Sequence, residues 1–222
     1  MDKITQAITY MKEQKYEDSA KLFTEIIEEN PEDPIGYINF GNLLVHINEL
    51  QRAENFFQRA IELDEHTATA YYGLGNLYFE QSLYPKAAEN FQKAIELGLE
   101  ESDVYYMLGM TLQKQEQLKL SIPYLLRATE LEEDDDEILF QYGLALAQSN
   151  HIEEAESVFE KVLKKNSKHS DAHYNLGVIS LYNDDAKSAL DHFNKALTIQ
   201  SDHVLAANGK KQIEELLNQN EA

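Results

Sequence analysis

Apolar residues in 68–101 recur at helical spacing, not strand spacing. Tyr71, Leu74 and Tyr78 form one stripe; Ala87, Ala88, Phe91, Ala94 and Ile95 form a second. The polar stretch EQSLYP at 80–85 joins them, and Pro85 suits the first turn of a second helix. The segment therefore predicts an antiparallel helix pair. The pattern returns every 34 residues: Gly41, Gly75, Gly109, Gly143 and Gly177 keep that interval. So do Ala53, Ala87, Ser121, Ala155 and Ala189, and also Phe57, Phe91, Leu125, Phe159 and Phe193. One period earlier stand Ala7, Ser19 and Phe23. A fixed period of this size predicts a stacked repeat array. Glycine inside a helix costs ~1 kcal/mol relative to alanine, so its return at one register argues that two helices close on each other there. The register gives six units, 1–33, 34–67, 68–101, 102–135, 136–169 and 170–203. Residues 204–222 read as a capping helix with Ile213, Leu216 and Leu217 on one side.

This register resembles the tetratricopeptide repeat family. In 68–101 the resemblance is carried by Tyr71, Leu74, Gly75, Tyr78, Tyr84, Ala87, Phe91 and Ala94. It implies an all-α fold: a right-handed α-solenoid of six helix–turn–helix repeats with a C-terminal capping helix. Departures are local. Lys3 and Gln6 stand where the family has an aromatic and a leucine, so the first helix is expected to be short. The family's terminal proline appears as Pro31 alone, with Glu65, Leu99, Glu133, Ser167 and Ser201 at its counterparts. Other chemistry must then end the helices, such as Gly98 at a C-terminus. Pro123 falls inside the second helix of repeat 4, where it removes a hydrogen bond.

Composition narrows the function. The 222 residues are 43% hydrophobic and 10% aromatic, too apolar for a disordered chain. No apolar run approaches the ~20 residues that span a bilayer, and the N-terminus lacks the charged-then-apolar pattern of a secretory signal. Cysteine is absent, so a cytoplasmic protein without thiol chemistry is expected. The net charge of −21 argues against nucleic acid and anionic membranes as partners. Seven of the eight residues in ELEEDDDE, 130–137, are acidic, and KVLKKNSK, 161–168, is basic. Both fall at repeat junctions, where Asp135 and Asp136 suit a helix start and the lysines a helix end.

Candidate chemistry is sparse. GLGN at 73–76 lacks the third glycine of a dinucleotide fingerprint and the GK[ST] of a P-loop, and no strand precedes it. His169, Asp171 and His173 form H-x-D-x-H, but His173 holds an aromatic packing position and His169 lies in a turn. No nucleophile and base form a local motif. The expectation is a protein that is not an enzyme, with no cofactor and no metal site.

The resemblance also implies that the first helices line a concave groove. Carried over by register, its candidate residues are Asn39, Asn42, Tyr72, Asn76, Phe79, Tyr106, Met107, Met110, Phe140, Tyr174 and Asn175. Asn39 and Asn175 match the family's sixth-position asparagine, which is implied to grip a peptide backbone. An asparagine offers both donor and acceptor, aromatic side chains bury apolar partners, and methionine adapts its shape. Gly73 is expected to open space in the groove floor. The family's carboxylate clamp needs lysine at the fifth position, where Ile38, Tyr72 and Tyr106 stand. The expected partner is a protein or peptide with apolar side chains and some basic character. Alternatives are self-association, through the end helices or the tail LNQNEA at 217–222, and a role as accessory subunit of an enzyme complex.

Overall fold

The computed structural model describes residues 2–220, with side chains as far as Leu216. Among the described residues there are thirteen helices and no strand. In chain order they are α1 (Lys3–Lys12), α2 (Tyr16–Glu29), α3 (Pro34–His46), α4 (Leu50–Leu63), α5 (Ala68–Glu80), α6 (Tyr84–Glu96) and α7 (Ser102–Lys114). Then follow α8 (Leu118–Leu131), α9 (Asp136–Gln148), α10 (Ile152–Lys165), α11 (Ser170–Tyr182), α12 (Ala186–Ile199) and α13 (Val204–Asn220). Two compact units divide them, Met1–Gln117 and Leu118–Ala222, with the boundary inside the repeat assigned to 102–135. Helix α1 has 10 residues against 13 in α3, in line with its weak repeat signature. Pro123 does lie inside α8.

In each unit, helices adjacent in sequence pack on each other. The glycine and phenylalanine registers explain how. Phe23, Phe57, Phe91 and Phe159 are fully buried, and Phe193 is 1% exposed. A Cβ added to Gly75 would lie 2.5 Å from the Phe91 ring, and one at Gly41 2.8 Å from Phe57. In the second unit, Gly143 and Gly177 stand in the same relation to Phe159 and Phe193, at 2.8 and 2.6 Å. The missing side chain is therefore the slot that admits the ring, and each buried ring contributes roughly 2–3 kcal/mol by leaving water. Ala53, Ala87, Ala155 and Ala189 are likewise fully buried, so the backbones approach closely along the second helices.

Helix ends use varied chemistry. Gly98 has φ +92°, and the Gly98 and Leu99 N–H groups donate to Ile95 and Ala94 carbonyls after α6. Asp135 caps α9, its Oδ1 accepting from the Glu137 and Ile138 N–H groups at 2.9 and 3.0 Å. The acidic and basic runs also meet inside the second unit: Lys165 pairs with Asp134 at 3.0 Å, and Asn166 donates to Asp136 at 2.7 Å. Both runs sit at repeat junctions one period apart, so stacking brings them together.

Candidate functional site

In the first unit α1, α3, α5 and α7 are neighbours in succession, so their outer sides form one surface. On α3, Asn42 is exposed and Asn39 half-buried. The Asn39 Nδ2 donates to the Ile35 carbonyl at 2.9 Å, which uses one of the two N–H groups of its amide. On α5, half-buried Tyr72 rests 5.9 Å from the Phe91 ring, centroid to centroid, and its phenol is hydrogen-bonded by Asn76. Burial holds the Tyr72 phenol above its ordinary range, with Asp103 and Glu101 adding to the effect. Phe79 meets Tyr84 edge-on at 5.6 Å. On α7, Tyr106, Met107 and Met110 are half-buried. Eight of the candidate residues thus share the first unit. Exposed Glu80, Glu101 and Asp103 lie beside them, and exposed Lys114 ends α7.

The second unit carries the other three, and one of them is misplaced by the register reading. Phe140 is 6% exposed, packed 5.6 Å from Phe159 and 4.4 Å from His169. It is a core residue, because its ring lies on the phenylalanine of its own repeat and under the histidine that opens the next. Tyr174 lies similarly against Phe193 and His203, at 5.8 and 5.3 Å, yet stays half-buried. Asn175 donates to the Asp171 carbonyl at 2.8 Å, as Asn39 does in its own helix. Tyr182, passed over among the candidates, is 65% exposed on α11, beside Val178 at 41% and half-buried Leu181. Its signal was in the register, since it holds the thirteenth position of its repeat.

Gly73 also needs correcting. It is buried, and a Cβ there would lie 2.4 Å from the Phe57 ring. Phe57 is therefore held between Gly41 of its own repeat and Gly73 of the next. The glycine serves the joint between α4 and α5 and opens no groove floor. It has no room for a phosphate either.

The H-x-D-x-H residues go to different partners. His169 accepts from the Ala172 N–H, Asp171 meets His203 at 3.0 Å, and His173 faces His192. A concavity of about 560 Å³ in the first unit is lined by Tyr71, Tyr78, Lys86, Glu89, Asn90, Gln92, Lys93 and Glu96, none of them a candidate residue. Its walls include the charged flank of α6.

The register, the buried ring-on-glycine joints and the helix pairs point to one family. Models of the tetratricopeptide repeat match residues 41–82, 68–97, 102–135 and 143–204. The crystal structure of YrrB, a TPR protein with an unusual peptide-binding site, matches with a TM-score of 0.82 and 49% identity, over 86% of this chain and 99% of that one. The chain is a tetratricopeptide repeat protein. A stretch of 41 residues is 58% identical to the TPR repeat-containing protein YrrB of Bacillus subtilis (strain 168), covering 18% of this chain and 20% of the relative's length. The structure of pilF from Pseudomonas aeruginosa matches with a TM-score of 0.79 over 95% of this chain and 96% of that one, at 13% identity, which speaks to the fold alone. The helix pairs are the structural units of this fold. No helix among the described residues is long and apolar enough to cross a membrane.

Proposed function

We propose that this protein is a cytoplasmic scaffold, without catalytic activity of its own, that binds a peptide segment or helix of another protein on the outer sides of its first helices. The observation that carries the reading is the strip formed by Asn42, Tyr72, Asn76, Met107 and Met110 on α3, α5 and α7. It offers amide groups for a peptide backbone beside adaptable apolar surface. Support also comes from YrrB, a relative at 49% identity that has a peptide-binding site. The exposed acids Glu80, Glu101 and Asp103 favour a ligand with lysine or arginine among apolar side chains. Ile38, Tyr72 and Tyr106 in place of the clamp lysines argue against acidic C-terminal tails as ligands.

Selection from a displayed random-peptide library on the purified protein tests this. The enriched peptides are expected to be apolar with basic residues. The variant Asn42→Ala/Asn76→Ala/Met110→Ala should bind them at least about tenfold more weakly with an unchanged melting temperature, the loss of ~1.4 kcal/mol that a few interface contacts can supply. Selection of acidic peptides, or undiminished binding by the variant, overturns the proposal.

A second reading rests on α13, where Val204, Leu205 and Leu216 are 68%, 56% and 59% exposed. Self-association through this end helix would cover them. The residues at 221–222 and the side chains of 217–220, also candidates for that role, lie outside the described residues. Light scattering decides it: a monomer at all concentrations excludes this reading.

A further inference from the structure

Two histidines of the last repeat meet directly. His173 on α11 and His192 on α12 place their Nδ1 atoms 3.2 Å apart, with ring centroids 5.4 Å apart. His173 is 9% exposed and His192 half-buried. At that separation one Nδ1 carries a hydrogen and the other accepts it; two imidazolium rings would aim two N–H groups at each other. The repeat register shows what has been exchanged. In repeat 2 the same two positions hold Tyr37 and Phe56, with centroids 6.1 Å apart. The last repeat has a titrating pair where repeat 2 has an inert one.

Two further imidazoles in this unit also need a bare Nδ1. His169 accepts from the Ala172 N–H at 3.2 Å and caps α11. His203 accepts from the Ala206 N–H at 3.2 Å at the start of α13. Asp171 lies 3.0 Å from the His203 Nε2 and joins the start of α11 to that of α13.

We propose that the α11–α12 contact is an acid-sensitive joint, held closed by the neutral His173–His192 pair and loosened when both rings are charged. The pair borders a cavity of about 410 Å³ lined by Glu156, Glu160, Leu163 and Lys164 of α10, Leu176 of α11 and Lys195 of α12, with no residue of α13. Burial is the strongest influence and holds both imidazoles below their ordinary value of 6.5. Lys195 acts in the same direction on both rings, and His192 does so on His173. The Ser167 carbonyl and Asp191 pull the other way on His173, and Asp191 and Glu160 on His192, but more weakly. Asp191 is itself engaged by Lys195 at 2.6 Å. Because the folded values are depressed, the unfolded joint binds more protons in acid. The stabilisation is fully present above the ordinary value of 6.5 and is lost as the pH falls below it.

Hydrogen exchange read peptide by peptide tests this on the full chain, with rates corrected for intrinsic chemistry. Between about pH 7.5 and about pH 5.5, α11 and α12 should lose at least about threefold more protection than α3–α6. Replacing the pair by that of repeat 2, His173→Tyr/His192→Phe, should cut the excess by more than half. Should that variant fold poorly, the single change His192→Gln keeps a polar neighbour that does not titrate and should do the same. No excess in the wild-type protein, or an undiminished excess in a folded variant, overturns the proposal.

Discussion

At the scale of single residues, some side chains fill space and others leave it. Gly73 gives a sharp test. In an exposed helix position, alanine would be favoured over glycine by ~1 kcal/mol. Here a Cβ meets the Phe57 ring at 2.4 Å, so Gly73→Ala should lower stability by about 1–3 kcal/mol in a urea titration. A stabilised variant would mean that Gly73 does face open space. Tyr78 supplies a second residue-scale prediction. Its hydroxyl donates to Glu54 Oε1 at 2.7 Å, and burial, with Glu54, pushes its phenol up to about 12. The unfolded phenol releases its proton near its ordinary value of 10, the folded one later. The α4–α5 joint should therefore weaken as the pH rises from 10 towards 12, and Tyr78→Phe should flatten that part of the stability profile. The stripe of Tyr71, Leu74, Gly75 and Tyr78 was legible because identical residue types return at a fixed interval. The role of Gly73 was not, because its slot is made by a phenylalanine of the preceding repeat. Phe140 was misread for a related reason: its register position names a side of the helix, while the neighbouring His169 decides how much of the ring is covered.

At the scale of elements, the turns between first and second helices carry a regularity that residue types conceal. Gln14, Asn48, Ser82, Glu116, Asn150 and Asp184 all have positive φ, between 58° and 66°, and stand 34 residues apart. After each, the next N–H donates to a carbonyl five residues back, as Lys15 does to Tyr10 and Leu83 to Tyr78, closing the helix in a left-handed turn. None of the six is glycine, so each accepts backbone strain. Gln14→Gly and Ser82→Gly should each stabilise the protein by up to about 1 kcal/mol in thermal unfolding, since the strain relieved slightly exceeds the entropy added to the unfolded chain. A loss of stability in both would show that these turns are not strained. This period escaped the sequence reading because six positions share a backbone conformation without sharing a side chain. The helix pairs themselves were legible from apolar spacing, and the short α1 from its missing aromatic and leucine.

At the scale of the whole molecule, charge and exposed surface set behaviour. A net charge of −21 makes the chain repel itself and other polyanions. Raising salt from about 20 mM to about 500 mM should raise the melting temperature by a few degrees, as screening shortens the reach of that repulsion. An unchanged or lower value would mean that local pairs such as Lys165–Asp134 outweigh the general field. The same field would favour the proposed basic ligands near the exposed acids of α5 and α7. The family and the helix array could be read from the sequence; the partner's identity could not, since repeats fix how helices stack and leave their outer positions free to vary. The claim that the first helices carry the binding face is tested most directly by amide NMR of the labelled protein, titrated with a peptide from the library selection. Shifts are expected to concentrate at Asn42, Asn76, Met107, Met110 and their neighbours on α3, α5 and α7, including the asparagine side-chain amides. Shifts confined to the second helices α4 and α6, with those residues unmoved, would contradict it.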